Sequence, residues 1–160
     1  MSYKVFEIPK KLIPNLEEQE CEGWDIYDEE CERNDLVLDG NTINKILELS
    51  KPYYKINSEP DHLVQHIKYD VKNDEYEITE HDDNTEYTII IYLDKSEEVT
   101  DKFWVEGNLV EENFWNPSKD NYKAIIFWKN ASHNGYIYGN GKRELLCIFS
   151  QSLWGSQLSS

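Results

Sequence analysis

"YDVKNDEYEITEHDDNTEYTIIIYLD" runs from Tyr69 to Asp94, and its two halves are patterned differently. Around Tyr69, and again from Glu75 to Thr79, apolar and polar residues alternate, which is the period of a half-buried strand. Lys72-Asn73-Asp74 reads as the turn between them. From Tyr87 to Leu93 the pattern closes into a continuous β-branched and aromatic run, expected of a strand in the middle of a sheet. Between the two halves lies His81-Asp82-Asp83. Residues i and i+2 of an extended chain point to one side. His81 and Asp83 can therefore address one point while Asp82 faces away.

Working outward, "KFWVEGNLVEE" reads as a hairpin around Glu106-Gly107-Asn108, and "YKAIIFW", "GYIYG" and "ELLCIFS" supply three more strands. Seven or eight short strands follow a more helical N-terminal part. The best helix is Asp39 to Ser50, with Asn41 or Thr42 as its cap, Ile43, Ile46, Leu47 and Ser50 on one face, and Pro52 as a stop. A second short helix is expected over "SEPDHLVQHI", with Ser58 as cap and Pro60 in its first turn. It would put His62 and His66 on one face, but no Glu follows His62, so the metalloprotease pattern is absent. The fold expected is mainly β with helical N-terminal support (α+β), an antiparallel sandwich or jelly roll. Residues 1–160 read as one domain, 1–66 as the helical support and 67–150 as the jelly-roll core.

The chain has 160 residues, with 32 acidic and 16 basic side chains and a net charge of -16. Five Trp, eleven Tyr and five Phe give it the apolar surface for a core. A polyanion would be repelled by such a charge, so nucleic acid is excluded as a partner; a basic partner or a small substrate fits better. The densest charge run, Glu17 to Arg33, holds nine acidic residues against one Arg and reads as a solvated loop or edge, with Trp24, Ile26 and Tyr27 as its apolar anchors. Three cysteines, Cys21, Cys31 and Cys147, cannot all pair within one chain and show no zinc spacing. The N-terminal segment has no apolar h-region, and no segment approaches a membrane span. These features read as a soluble, intracellular, cytoplasmic protein without a membrane partner. Composition does not reach the oligomeric state.

A second histidine matters to the first. His133 stands between "YKAIIFW" and "GYIYG", 52 residues after His81. In a jelly roll that separation can bring a distant strand back beside the first. His81, Asp83 and His133 would then form a two-histidine, one-carboxylate face on a metal ion, leaving positions open for substrate and oxygen. Ten residues after His133, beyond a Gly139–Gly141 turn, Arg143 opens the last strand. A fixed guanidinium can grip a carboxylate through two hydrogen bonds. Lys142 is the rival for that role, but neighbours on a strand point oppositely, so only one can face the barrel.

These elements resemble the iron(II)- and 2-oxoglutarate-dependent oxygenases, in their prolyl-4-hydroxylase-like branch. Tyr69, His81 with Asp83, Tyr92-Leu93-Asp94, His133 with Gly135, and Gly141-Lys142-Arg143 occur in the family's order, over roughly residues 67 to 150. The resemblance implies a double-stranded β-helix, the family's jelly roll. It implies that His81, Asp83 and His133 form the catalytic centre around iron(II), and that Arg143 pairs with the distal carboxylate of 2-oxoglutarate. Tyr92, with Thr88 behind it, would add a hydroxyl there, and Tyr69 would line the same cosubstrate pocket. The activity implied is a dioxygenase that consumes O2 and 2-oxoglutarate and hydroxylates a protein or peptide side chain, with proline as the branch's substrate. Ascorbate is the reductant such enzymes can draw on. A small molecule or free amino acid is the alternative substrate, and a non-catalytic acidic interaction protein on the same scaffold is the alternative class. The chain departs from the family after Asp94, where "KSEEVTDKFWVEGN" stands in place of the usual Gly-Gly-acidic element beside the substrate groove.

Overall fold

In the computed structural model, residues 2–19, 23–50, 62–111, 115 and 118–150 are described. Eleven strands and one α-helix occur among them: β1 (Tyr3–Pro9), β2 (Asp25–Asp28), β3 (Cys31–Leu36), α1 (Gly40–Ser50), β4 (His62–Val71), β5 (Glu75–His81), β6 (Tyr87–Lys95), β7 (Thr100–Val105), β8 (Asn108–Leu109), β9 (Asn121–Trp128), β10 (His133–Tyr138) and β11 (Gly141–Ser150). They form a seven-stranded sheet in the order β1-β9-β6-β11-β4-β3-β2 and a four-stranded sheet in the order β5-β10-β7-β8. From β4 onward the chain alternates between the sheets except at the β7–β8 hairpin, which lies within the smaller one, and every pairing is antiparallel. Strands β4, β11, β6 and β9 oppose β5, β10, β7 and β8, which is the eight-stranded jelly roll. The remaining three strands widen the larger sheet at both edges.

Two cores follow from this layering. One lies between the sheets and contains Ile67, Tyr69, Ile90, Tyr92, Phe103, Phe127 and Leu145. The other lies on the outer face of the larger sheet, where Ile43 and Ile46 of α1 pack with Phe6, Ile8, Val64, Ile89 and Ile126. Both faces of β6 are therefore covered, which is why its sequence is continuously apolar. The β7–β8 turn has Glu106 and Gly107 at φ of 48° and 76°, the two positive angles that a type I′ hairpin requires.

Several expectations need correction. The N-terminal part is not chiefly helical: α1 is its one α-helix among the described residues, alongside three strands. The cap of α1 is Asp39, whose Oδ1 accepts from the Thr42 backbone N–H at 2.8 Å, and not Asn41 or Thr42. Residues 62–67 are the start of β4 and not a helix; Ser58 and Pro60 lie outside the described residues. His62 reaches the Tyr87 hydroxyl, whereas His66 meets the edge of Trp24 and stands 3.7 Å from Glu144. The C-terminal half of the acidic run forms the β2–β3 edge hairpin; Trp24 packs on His66 as an anchor, whereas Ile26 is 77% exposed and Tyr27, 61% exposed, meets only the Arg33 guanidinium. Cys31 and Cys147 are buried free thiols, and Cys21 lies outside the described residues. Among the described residues no helix is long and apolar enough to cross a membrane.

Candidate metal centre

His81 ends β5 and His133 begins β10, and the two are paired in register. Strict alternation along β5 would carry the inward face from Tyr76 and Ile78 to Glu80. It does not, because the pairing shifts between His81↔His133 and Ile78↔Gly135. The extra residue is a β-bulge, and it turns His81 inward in place of Glu80. Gly135 is needed opposite it, since a Cβ there would stand 3.0 Å from the Lys102 carbonyl oxygen. Asp83 follows in the loop before β6, and Asp82 is exposed.

The ligand atoms of His81, Asp83 and His133 all lie within 4.8 Å of one another. His81 Nε2 is 3.4 Å from Asp83 Oδ1, and His133 Nε2 is 3.4 Å from Asp83 Oδ2. Adjacent ligands of an octahedral ion with bonds of about 2.1 Å stand roughly 3 Å apart, so the separation suits a shared ion. The tautomers suit it as well. His81 Nδ1 lies 2.7 Å from the Thr79 carbonyl oxygen and His133 Nδ1 lies 3.0 Å from that of Ala131. A carbonyl only accepts, so each Nδ1 carries a proton, and a neutral ring presents its Nε2 lone pair to the centre, whereas a protonated one donates from Nε2 to Asp83.

Asp83 is fixed by Thr88, whose hydroxyl donates to Oδ2 at 2.8 Å and is itself 2.9 Å from the Thr85 hydroxyl. Burial works to raise the Asp83 carboxyl, but hydrogen bonds from His133, His81 and Thr88 outweigh it and hold it well below the usual range. The Asp83 bond in turn raises His81, against the effect of burial. The three side chains differ in exposure, 44% for His81 against 11% for Asp83 and 6% for His133. One side of the cluster thus opens to solvent. Phe127 packs on the His133 ring at 4.4 Å between centroids and Phe103 at 5.8 Å, so its other side is apolar.

Arg143, Tyr92, Tyr69 and Thr88 line the same cavity as the cluster, a space of about 120 Å³ between the sheets. Arg143 is 4% exposed, and its Nε lies 2.9 Å from Asp101 Oδ1 and 3.1 Å from Oδ2. Its guanidinium carbon stands 4.9, 5.6 and 5.9 Å from the ring centres of Tyr69, Tyr92 and Trp115. Burial works against the charged guanidinium, but Asp101 and the two phenol rings more than restore it. Asp101 holds only the Nε edge; Nη1 is buried without a hydrogen-bond partner. Lys142 is exposed and lines a separate outer cleft with Asp28, Glu30 and Lys68. Glu144 also turns outward, to His66 and Lys68.

A second bulge, between β11 and β6 near Glu144, leaves Asp94 exposed and opposite Glu144. Arg143 consequently pairs with Asp101 of β7 and not with Asp94 of the adjacent strand β6. Phe127 and Trp128 are core, whereas Tyr136 and Tyr138 turn outward and stack on each other at 5.9 Å. Asp101, Arg33, Gln65 and Phe103 belong to the site and carry no sequence signal of their own, because strand register across the two sheets places them there.

Fold and site together define a jelly-roll protein with a facial His-Asp-His cluster and a buried arginine deeper in the same barrel. No family model matches the sequence, and no curated protein does. Among solved structures, an oxidoreductase of the 2OG-Fe(II) oxygenase family from Burkholderia pseudomallei is similar at 12% identity, with a TM-score of 0.48 over 81% of this chain and 72% of that one. KdgF from Halomonas sp. is similar at 14% identity and a TM-score of 0.46, over 81% and 86% of the two chains. A cupin 2 domain-containing protein from Halorhodospira halophila has 11% identity and a TM-score of 0.42, over 94% and 79%.

Proposed function

We propose that the chain is an iron(II)- and 2-oxoglutarate-dependent dioxygenase that hydroxylates a protein or peptide side chain, with prolyl as the specific case. The observation that carries this reading is the convergence of two Nε2 atoms and one carboxylate, each histidine locked in the ligating tautomer by a backbone carbonyl. Imidazole and carboxylate together suit iron(II), and three ligands on one face leave room for the reactants. Iron(II), when bound, would supply oxygen activation coupled to decarboxylation of 2-oxoglutarate. One oxygen atom enters the substrate C–H bond to give C–OH, and the other enters succinate as carbon dioxide leaves.

In this reading His81, Asp83 and His133 hold the metal, and Thr88 holds Asp83. The open Nη edge of Arg143 receives the distal carboxylate of 2-oxoglutarate, with Tyr92 and Tyr69 shaping the pocket. Burial pushes both phenols well above their ordinary range, so each keeps its proton and can donate. Ile78, Ile90 and Phe103 keep water from the centre. A cavity of about 120 Å³ is too small for a peptide, so a protein substrate would offer one side chain at the exposed His81 edge. A free amino acid or other small molecule is the second substrate class, favoured by the unpaired guanidinium nitrogen of Arg33 in that cavity.

The test mixes purified apoprotein with iron(II) and 2-oxoglutarate under anaerobic conditions. A visible charge-transfer band and thermal stabilisation by the pair are expected. His81→Ala should remove the band, and Arg143→Ala should weaken 2-oxoglutarate while sparing the metal. Absence of both band and stabilisation overturns the reading and leaves the acidic interaction protein. Succinate release with Pro-rich peptides against free amino acids separates the two substrate classes.

A further inference from the structure

Arg33 is the second arginine of the cavity. It stands on β3 opposite Ile67, which is opposite Leu145 of β11, one row of side chains away from Arg143 and one from Gln65 and Cys147. It faces the histidines across the space between the sheets, and lines that space with His81, Asp83 and His133. Its position is held from outside: the guanidinium carbon lies 4.0 Å from the Tyr27 ring centre, a cation–π contact that fixes the side chain without using its hydrogen bonds. The buried Cys31 thiol stands two residues before it on the same strand face. Nε is buried and has no partner.

This is unusual in a chain of net charge -16; Asp25 stands opposite it on β2 without forming an ion pair with it, and two other acids of this region are engaged elsewhere. Asp35 accepts from the Gln65 amide at 2.9 Å, and Asp28 accepts from the Tyr76 hydroxyl at 2.5 Å. No described carboxylate forms an ion pair with Arg33. Its charge is nevertheless felt across the cavity, at His81, Tyr69 and Cys147. A partly buried guanidinium that lines a cavity and keeps an unpaired donor can receive a carboxylate there once the side chain presents it.

We propose that Arg33 binds a carboxylate of the prime substrate, which makes the substrate class carboxylate-bearing compounds whose reacting carbon lies between Arg33 and the His81–Asp83–His133 cluster. This rests on the oxygenase reading above, with Arg143 reserved for 2-oxoglutarate. Arg33 is then a specificity residue, and the barrel separates its two anions by strand: β11 takes the cosubstrate and β3 takes the substrate.

The experiment is a binding measurement on the iron(II)- and 2-oxoglutarate-loaded protein under anaerobic conditions. N-acetyl-L-amino acids are titrated against the matching N-acetyl-L-amino acid amides, which lack only the carboxylate. Doubly capped peptides containing one Asp or Glu form a third set. Acid-selective binding is expected on the wild type, falling roughly ten- to hundredfold in Arg33→Gln with an intermediate loss in Arg33→Lys. The visible band and the 2-oxoglutarate affinity should be unchanged in both variants. Selective binding of the N-acetyl acids identifies a free acid as the source, and of the capped peptides an acidic side chain. Acids and amides binding alike, or acid binding surviving in Arg33→Gln, overturns the proposal. So does loss of 2-oxoglutarate affinity in Arg33→Gln, since Arg33 would then serve the cosubstrate. The two readings fail separately: a missing band in the wild type sinks the oxygenase, whereas a normal band without Arg33-dependent acid binding sinks this proposal alone.

Discussion

Thr88→Val keeps the shape of a β-branched side chain but removes the hydroxyl that donates to Asp83. Groups that orient a metal ligand typically contribute ten- to hundredfold in metal affinity. A titration with iron(II) or cobalt(II) should show a loss of about that size, with Thr88→Ser close to wild type. Arg143 and Asp101 make a different prediction, because their pairing is buried on both sides at 4% and 5% side-chain exposure. Arg143→Met leaves Asp101 charged and alone, at a cost of about 3–5 kcal/mol in urea unfolding. Adding Asp101→Leu should recover most of that loss, since an apolar pair of similar volume is often as stable as a buried ion pair. His81, Asp83, His133 and Arg143 are singled out in the sequence by the two-residue His–Asp spacing and by the resemblance, and the structure brings all four side chains to one cavity. Arg33 and Asp101 were not legible in the sequence, since only cross-strand register brings them to the site. Nor was Thr88's bond to Asp83, which depends on how the intervening loop folds back.

At the scale of elements, the turn between β10 and β11 is the most constrained. Gly139 has φ of +90°, and a Cβ there would lie 2.1 Å from the Glu98 carbonyl oxygen. Gly139→Ala combines a left-handed backbone with a backbone clash, so a loss of more than about 2 kcal/mol is expected. The same variant should loosen 2-oxoglutarate more than metal, because Arg143 stands near the turn at the start of β11, whereas His133 lies at the far end of β10 and the other two ligands lie elsewhere. Calorimetric melting and the two binding titrations check both halves. The strands from β5 onward could be read in advance because each has a clear period or a clear bounding turn. β4 could not. Its Ile67, Tyr69 and Val71 face one core while Val64 faces the other, so alternation is lost, and Leu63, Val64 and Ile67 imitate a helical spacing. The bulge that turns His81 inward also left no mark, since nothing in "EYEITEH" announces an extra residue.

For the whole molecule, the governing quantity is a net charge of -16 on 160 residues. Self-repulsion of that size opposes compaction, and salt screens it over about 10 Å at 0.1 M. The melting temperature should therefore rise between 10 mM and 300 mM NaCl in the metal-free protein. The same field attracts a divalent cation and repels a dicarboxylate, so added salt should weaken metal association and speed that of 2-oxoglutarate, as stopped-flow mixing would show. The strand order has a temporal consequence. β11 is the last described strand to leave the ribosome, yet it lies between β4 and β6 in the larger sheet. Until it emerges, two inner strands have open edges, the inter-sheet core lacks Leu145 and Cys147, and Arg143 is not yet opposite Asp101. Long-range closure of this kind is slow, milliseconds to seconds in β-rich folds. During that interval the nascent chain exposes its most apolar strand, β6, and the acidic side chains on the surrounding segments would be its main protection against association with other chains.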